Sequence, residues 1–504
     1  MAGFLARERL VAGPGFNRWL IPPAALAIHL SIGQAYAFSV FNLPLSKALG
    51  VGAPVPGDWK LTDLGWVFTL AIVFLGLSAA TFGRWLEEVG PRKSGLVAAA
   101  CWGTGFLIGA LGVRTHQLWL LLLGYGVIGG CGLGLGYITP VSTLIKWFPD
   151  RRGMATGLAI MGFGGGAMIA APLSTALMKR FAGPDSTGVV ATFVVMGLIY
   201  FVAMALGALA FRLPEAGWRP AGYIAPVTPK PLVSVRDVHP REAIRTPQFW
   251  LLWAILCLNV TAGIGVLGQA SPMIQEVFRG RIDATAAAGF VGLLSLFNMG
   301  GRFFWSSLSD RIGRKATYST FFSLGALLYA ATPFAGRLGS IGLFVACFAI
   351  ILTMYGGGFA TIPAYLSDLF GTRYVGAIHG RLLTAWSAAG VLGPVLVNYI
   401  RQYQIDRGIP NAQAYNVTLD LMAGLLVIGL LCNLAVKPVD SRHYLAEPES
   451  RPDAAFSGVM IGAGGPAVPT RTSSVLALAW VAVGGPLAWG VASSILRALA
   501  LFRR

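Results

Sequence analysis

The sequence predicts an all-α integral membrane protein, with twelve transmembrane helices in two six-helix halves and a thirteenth helix at the C-terminus. Three observations support this fold class. The chain of 504 residues is 55% hydrophobic and only 12% charged, a smaller charged fraction than soluble domains carry. Apolar runs of membrane-spanning length recur along it, and its two halves resemble each other. The lipid bilayer is therefore the expected solvent of the chain and one of its partners.

Twelve apolar runs are each long enough to cross a hydrocarbon core of about 30 Å. A Pro-rich, charged segment separates the first six runs from the last six. The predicted organisation is an N-terminal half (1–211), a cytoplasmic linker (212–247), a C-terminal half (248–436), a polar linker (437–474) and an extra transmembrane segment (475–504). The runs lie at residues 19–46, 64–84, 94–113, 118–145, 154–178, 188–211, 248–275, 285–308, 317–336, 340–365, 377–400 and 416–436.

The basic balance of the chain does not indicate a nucleic-acid partner. The net charge of +18 comes from short clusters between the apolar runs, where solvated turns are expected. The five cysteines lie inside apolar runs and lack the paired spacing of redox or metal sites, so no metal site and no cofactor are expected. The N-terminus lacks the apolar region and cleavage site of a signal peptide, so the first helix is expected to act as its own insertion signal.

The distribution of lysine and arginine predicts the orientation in the membrane. With a cytoplasmic N-terminus, the segments on the cytoplasmic side carry 24 of the 38 basic residues, and the opposite loops carry ten. An excess of basic residues marks the cytoplasmic side of a membrane protein. Both ends of the twelve-helix unit are therefore expected in the cytoplasm, and the expected location is a bacterial inner membrane.

The two halves repeat each other at an offset of 222 or 223 residues. FGRWLEEVGPRK aligns with WSSLSDRIGRK, so that Gly90 matches Gly313. GYITPVSTLIKWFPDRRGMATG and GFATIPAYLSDLFGTRYVGAIHG form a second matching pair. Two related halves imply a site at their interface near the bilayer midplane, which rocking of the halves opens alternately to either side.

Arg302 is the most informative polar residue of the apolar runs. It lies eight residues before Asp310, and so about 12 Å deeper in the membrane. A charge at this depth is costly unless it faces a cavity or a partner. Snorkelling to the inner interface is one interpretation, although the depth is near the limit of the side chain's reach. A binding role fits better, because a guanidinium offers a planar pair of donors to a carboxylate.

The turn sequences ending in RK resemble those of the major facilitator superfamily, whose loops 2–3 and 8–9 carry a Gly-x-x-x-Asp-Arg-x-Gly-Arg-Arg-like motif. Within it, PPAALAIHLSIGQAYAFSVFNLPL, GLGYITPVSTLIKWFPDRRGMATG and YGGGFATIPAYLSDLFGT are similar to the oxalate:formate antiporter family of organic-anion carriers. The resemblance covers residues 15–440, with three long motifs in the same order and spacing. It implies a secondary active transporter of small carboxylates that works by alternating access, without an enzymatic step.

Both copies of the turn motif are candidates for gating. The second copy contains Asp310, Arg311 and Arg314, and Asp310 can pair with either arginine. Such pairs would hold one face of the carrier shut and break when it opens. The first copy contains Arg92 but departs from the family pattern, with Glu87 and a second glutamate where Asp-Arg is usual. A plain positive-inside turn remains the alternative interpretation.

The resemblance also implies a substrate site. In the family an arginine of the eighth helix binds substrate, and Arg302 occupies its place. The family archetype adds a lysine in the eleventh helix, where alignment of TAWSAAGVLG puts Trp386. One cation instead of two suggests a monoanion such as formate, lactate or pyruvate over a dianion such as oxalate. Some proton-coupled monocarboxylate carriers have an acid four residues before the arginine, and here that position is Asn298.

Aromatic side chains from four helices are expected to complete this site. Phenol hydroxyls can hydrogen-bond a carboxylate while the rings exclude water. Each residue taken singly also fits a packing role, and the set is more informative than its members. The candidates are Tyr36, Tyr137, Tyr355, Phe359 and Trp386.

Energy coupling depends on titratable groups in the apolar runs. No Asp or Glu lies deep in any of the twelve, although proton-coupled carriers usually need such a group. His29 and His379 are the remaining candidates, and each is expected to be a hydrogen-bonded structural histidine. Anion exchange is therefore favoured over proton symport. A transporter-like carboxylate sensor is a further alternative, and a monomer is the expected oligomeric state.

The C-terminal run from Val475 to Phe502 has one charge, Arg497, and is long enough for a thirteenth span. It resembles the small single-span proteins found with some of these transporters. An interfacial amphipathic helix is the alternative, but the run has little polar face.

Overall fold

The computed structural model describes residues 7–215, 218–221, 223, 232–234, 236–282, 284–445 and 470–499. Thirteen long helices dominate this part of the chain, and twelve of them are long and apolar enough to cross a membrane. The exception, α9, has 24 residues and begins with several polar ones. In chain order, α1 to α13 span Arg18–Leu45, Leu61–Val89, Pro91–Arg114, Leu118–Trp147, Arg152–Phe181, Val189–Ala210, Pro247–Val277, Ala284–Ile312, Arg314–Arg337, Ile341–Phe370, Val375–Asp406, Asn416–Ala435 and Thr470–Ala498.

The predicted fold class is confirmed, because α1–α6 and α7–α12 form two halves with the same helix packing. In the first half α1 packs against α5, α2 against α4 and α3 against α6. In the second half the equivalent pairs are α7 with α11, α8 with α10 and α9 with α12. The matching turn glycines, Gly90 and Gly313, have φ values of 84° and 86°, which glycine adopts without a steric penalty. The sequence repeat is therefore also a structural repeat.

The two halves meet along two seams, one between α2 and α11 and the other between α5 and α8. Glycines on the seams let backbones approach closely. On the first seam, a Cβ added at Gly76 would lie 2.8 Å from the Leu383 carbonyl oxygen. On the second, a Cβ added at Gly157 would lie 2.7 Å from the Arg302 carbonyl oxygen. Each seam brings one helix of each half into near backbone contact.

Three helices of the bundle depart from regular α-helical geometry. Gly33–Phe41 of α1 is a 3₁₀ segment, and Leu122–Gly129 of α4 is a π-helical segment. In α11 the helix is interrupted at Leu383. Irregular turns of this kind are frequent at functional sites. Two candidate site residues, Tyr36 and Trp386, lie within the first segment and just after the interruption.

The predicted thirteenth helix is present as α13, which lies alongside α5 and α8 and also touches α1. Its side chains Leu478, Val481 and Leu496 are each about 70% exposed, as expected for the lipid-facing side of a span. The polar linker predicted at residues 437–474 lies mostly outside the described residues.

Replacing Gly157 by alanine is expected to destabilise the bundle. The added Cβ would meet the Arg302 carbonyl oxygen at 2.7 Å, so α5 and α8 would have to move apart. Overpacking of this kind costs about 1–3 kcal/mol. The measurement is thermal unfolding of the purified protein in detergent.

Gly300→Ala is the matched control on α8, since nothing lies within 4 Å of a Cβ added there. Alanine in open space favours the helix over glycine by roughly 0.5–1 kcal/mol, so this variant is expected to be at least as stable as the parent protein. Equal stability of the two variants would contradict the close contact at Gly157.

Candidate functional site

Arg302 is fully buried in α8. Its Nε donates to the side-chain oxygen of Asn298 at 3.2 Å, and its Nη1 donates to the carbonyl oxygen of Ile160 at 3.3 Å. Its Nη2 has no hydrogen-bond partner of good geometry among the described residues. Gly164 makes room for it on α5, where an added Cβ would lie 3.0 Å from Nε. The guanidinium is thus held between α5 and α8, with the Tyr36 side chain near it and no well-formed hydrogen bond from Nη2 to the described residues.

Two phenylalanine rings cover this guanidinium. The Arg302 Cζ lies 5.8 Å from the ring centroid of Phe163 on α5 and 5.3 Å from that of Phe359 on α10. A desolvated cation–π contact contributes about 2 kcal/mol or more. Phe163 is absent from the set that the sequence suggests. Its place inside the glycine run GFGGG is the signal by which it could be found.

Trp386 joins the predicted aromatic residues into one cluster. Its ring centroid lies 6.4 Å from that of Tyr36, 5.4 Å from that of Tyr137 and 4.5 Å from that of Phe359. Tyr355 packs on Phe359 at 5.3 Å, and its hydroxyl lies 3.4 Å from that of Tyr36. The structure therefore brings together all five aromatic residues that the sequence suggests. With Phe163, Asn298 and Arg302, they are called the central site below.

Three polar atoms of the central site are buried without a partner among the described residues: Arg302 Nη2, the Tyr137 hydroxyl and Trp386 Nε1. Each can donate a hydrogen bond, and an unpaired buried donor costs about 1–3 kcal/mol. A cation with surplus donors fits a ligand that is negatively charged and rich in acceptor atoms. The chemistry of the central site is therefore suited to a small anion such as a carboxylate.

The two buried histidines differ in their hydrogen bonding. His29 Nδ1 lies 2.7 Å from the Ala159 carbonyl oxygen, and Nε2 lies 3.3 Å from that of Tyr137, as expected for a structural histidine. His379 is also buried, but neither ring nitrogen has a partner among the described residues. The hydrogen bonds expected for His379 are therefore not found among the described residues. Its neighbour Tyr137 contacts it through the aromatic ring, at a centroid distance of 5.8 Å. An unpaired imidazole therefore lies beside the central site.

One end of the bundle carries the central linker, and we call it the linker face. There Asp310, near the end of α8, accepts the backbone N–H groups of Gly153 and Met154 at 2.9 Å each and pairs with Arg314 at 2.7 Å. These N–H groups begin α5, where the helix dipole also favours a carboxylate. Asp310 thus connects the two halves. Arg311, the other predicted partner, is exposed and makes no ion pair or hydrogen bond with the described residues.

An ion pair also crosses between the halves at the linker face. Asp368, near the end of α10, pairs with Arg152 of α5 at 3.2 Å and with Arg314 at 2.9 Å. Arg152 and Asp368 are absent from the residues predicted from the sequence, although both lie in the repeated motifs, within DRRGMATG and YLSDLFGT. Their place within the two repeated motifs is the signal by which they could be found.

The first copy of the turn motif forms an equivalent connection through Glu87. Its carboxylate accepts the N–H of Gly376, near the start of α11, at 3.1 Å, and also binds Ser142 and Lys146 of α4. Arg92 lies within the first half, where its Nε donates to the Phe211 carbonyl oxygen at 3.2 Å. The glutamate that departs from the family motif therefore contacts the N-terminal turn of a helix in the other half, as Asp310 does.

Comparison with known proteins agrees with this architecture. The Major Facilitator Superfamily profile matches residues 17–394. This chain belongs to the major facilitator superfamily. Membership of the oxalate:formate antiporter family is confirmed as well, because the chain is 30% identical over 378 residues to the oxalate:formate antiporter of Oxalobacter formigenes, covering 75% of this chain and 83% of that protein.

Two further proteins are similar to this carrier. Apicoplast pyruvate carrier 1 of Toxoplasma gondii is 23% identical over 450 residues, covering 79% of each chain. The crystal structure of the human organic anion transporter MFSD10 shares the fold, with a TM-score of 0.59 at 15% identity, covering 84% of this chain and all of that one. The protein is thus a multi-pass membrane transporter and not an enzyme.

Replacing Glu87 by glutamine is expected to favour the carrier state that is open at the linker face. The change removes the charge that binds the start of α11 and Lys146. A hydrogen bond to a charged group contributes about 1.5–3 kcal/mol, so the open fraction should rise about 10- to 100-fold relative to the closed one. The measurement is the electron-spin distance between labels at positions 93 and 311, with the native cysteines replaced.

Glu88→Gln is the matched control. Glu88 pairs only with Arg84 on its own helix among the described residues, and both side chains are more than half exposed. This variant should give the parent distance distribution. An unchanged distribution in a folded Glu87→Gln protein would show that this contact does not hold the linker face shut.

Proposed function

We propose that this carrier moves small monocarboxylates across the bacterial inner membrane by alternating access, as a monomer with the linker face in the cytoplasm. The observation that carries the proposal is the buried Arg302 guanidinium, whose Nη2 makes no well-formed hydrogen bond to the described residues, surrounded by the aromatic rings of the central site. The similarity to an oxalate:formate antiporter and to a pyruvate carrier supports the same substrate class. The basic-residue distribution supports the orientation.

The substrate carboxylate is proposed to complete the hydrogen bonding of the central site. Arg302 already uses Nε and Nη1 on protein oxygens, so a carboxylate would take Nη2 together with the Tyr137 hydroxyl or Trp386 Nε1. None of the ion pairs between described residues involves Arg302. Binding of an anion would therefore neutralise a buried charge, which otherwise carries a large desolvation penalty.

A monoanion suits this site better than a dianion. Arg302 is the only cation among the residues that form the central site, and Trp386 takes the place of a second one. The indole is packed against several rings and offers a single N–H. A second carboxylate would be buried among rings without a counter-charge, at a cost of several kcal/mol.

The cross-half contacts at the linker face are proposed to act as the gate. Asp310 and Glu87 each bind the N-terminal turn of a helix of the other half, and Asp368 adds an ion pair to Arg152. Such contacts break when the halves rock apart at this face. Arg314 is proposed to support the gate by holding Asp310 and Asp368 in place.

Anion exchange remains the favoured coupling mode, since the central site contains no carboxylate that could take up a proton. Proton symport is the second candidate, and His379 is the observation that favours it. This buried imidazole has no hydrogen-bond partner among the described residues and lies beside Tyr137, with His29 as a titratable neighbour. Rehydration on opening would let it bind a proton.

Uptake of labelled formate, lactate, pyruvate and oxalate into proteoliposomes tests the proposal and separates the two modes. Uptake that needs an internal anion and ignores an imposed pH gradient indicates exchange. Uptake driven by an inward proton gradient, and lost in a folded His379→Gln protein, indicates symport. Failure of all four anions to bind or cross would overturn the proposed substrate class.

Arg302→Ala is expected to abolish transport, and Arg302→Lys to retain insertion while losing substrate affinity. Lysine supplies the charge, but its ammonium lacks the rigid planar geometry with which the guanidinium can bind Asn298, Ile160 and the substrate at the same time. The expected loss is roughly 1.5–3 kcal/mol, or on the order of 10- to 100-fold in affinity. Equilibrium binding to purified protein measures it, and Arg279→Ala in the exposed α7–α8 loop is the control. Near-normal affinity of Arg302→Ala would show that the arginine is structural.

Monocarboxylates are expected to displace a labelled substrate at far lower concentrations than oxalate, because the central site offers one cation. Trp386→Lys is expected to shift this order toward dianions. The measurement is a competition series on the parent protein and on the variant, after its folding has been checked by thermal unfolding. If oxalate is the tightest competitor of the parent protein, the single cation of the central site does not select monoanions.

A further inference from the structure

The C-terminal helix α13 contacts both halves of the carrier at a single seam. A Cβ added at Gly165 of α5 would lie 2.7 Å from Leu487 of α13 and 2.8 Å from Met299 of α8. One turn further along, a Cβ added at Gly490 would lie 3.1 Å from the Ile169 side chain of α5. At these points α13 lies over the line where α5 and α8 meet.

The contacts of α13 come from one stripe of its surface. Val483, Gly490, Ser494 and Ala498 are buried there, at spacings of seven and four residues that keep them on one side of a helix. Three of the four are small, which is the composition expected where membrane helices pack closely. The stripe also reaches α8 at Gly292, where an added Cβ would lie 3.8 Å from the Ser494 Cβ.

The stripe lies at the depth of the central site. Gly164 and Gly165 are neighbours on α5, and they face different partners. A Cβ added at Gly164 would meet Arg302, whereas a Cβ added at Gly165 would meet Leu487 and Met299. The guanidinium and α13 therefore lie against different faces of the same turn of α5.

We propose that the seam of α5 and α8 is a docking surface for a single transmembrane helix, and that α13 occupies it to restrain the separation of the halves. This proposal rests on the alternating access of the proposed function. A helix that touches both sides of the seam must lose contact with one of them when α5 and α8 part. Docked α13 therefore favours the state in which the seam is closed around Arg302, and it slows the exchange of bound anion.

Gly490→Leu in the full-length chain tests the docking. The added side chain would run into the backbone of Met168, whose carbonyl carbon lies 3.2 Å from the position of a Cβ. Gly484→Leu adds the same side chain to the same helix where nothing lies within 4 Å of a Cβ, and it serves as the matched control. Spin labels at positions 179 and 496, which are exposed on α5 and α13, report whether α13 leaves the seam.

The expected result is a longer label distance in Gly490→Leu and an anion-exchange rate raised about two- to thirtyfold, the usual range of single-residue effects on conformational coupling. Gly484→Leu should match the parent protein in both. A longer distance without a faster exchange rate would show that α13 docks without restraining the carrier. An unchanged distance would show that the stripe does not hold α13.

The two proposals fail in different ways. If the parent protein neither binds nor exchanges carboxylates, the proposed substrate class fails, and the label distances still report the docking of α13. If carboxylate exchange is robust and equal in the parent, Gly490→Leu and Gly484→Leu proteins, the restraint by α13 is refuted while the proposed function stands.

Discussion

The structure is organised around one constraint, the burial of a guanidinium in a membrane protein where none of the described residues offers it a carboxylate. The favourable contacts of Arg302 are two hydrogen bonds to neutral oxygens and two aromatic faces. Hydrogen bonds to charged groups contribute about 1.5–3 kcal/mol each, and desolvated cation–π contacts about 2 kcal/mol. These terms offset a desolvation penalty of several kcal/mol, but they leave Nη2 unpaired. The protein thus stabilises the buried guanidinium and leaves one of its nitrogens available to an anion.

The same constraint explains the glycines of α5. A side chain at Gly164 would push α5 away from Arg302, and side chains at Gly157 or Gly153 would separate α5 from α8 toward the linker face. The seam can close tightly around the guanidinium only because these positions have no Cβ. Charge burial and backbone contact are thus two aspects of one packing arrangement.

Much of this architecture follows from the sequence, because the position of a residue along a membrane-spanning run gives its depth in the bilayer. Position along a helix is enough to predict the apolar runs, the repeat of the halves, the depth of Arg302 and the pairing of Asp310 with Arg314. Which residues meet across the bundle depends on helix rotation and tilt, which a single sequence does not encode in a readable pattern. Phe163 and the Arg152–Asp368 pair were missed for this reason, and His379 was assigned hydrogen bonds that its neighbours do not offer.

Helix α13 packs against the same turn of α5 that packs against Arg302. Gly164 and Gly165 lie next to each other, the first against Arg302 and the second against Leu487. Under the proposed function, an anion bound at Arg302 would require the closed arrangement of α5 and α8, and α13 contacts that same arrangement from outside. An anion and a docked helix that favour the same state must strengthen each other's binding, by the same factor in both directions. A docked tail would therefore raise carboxylate affinity while slowing exchange, so that tighter binding and slower transport have a common cause in the closed seam.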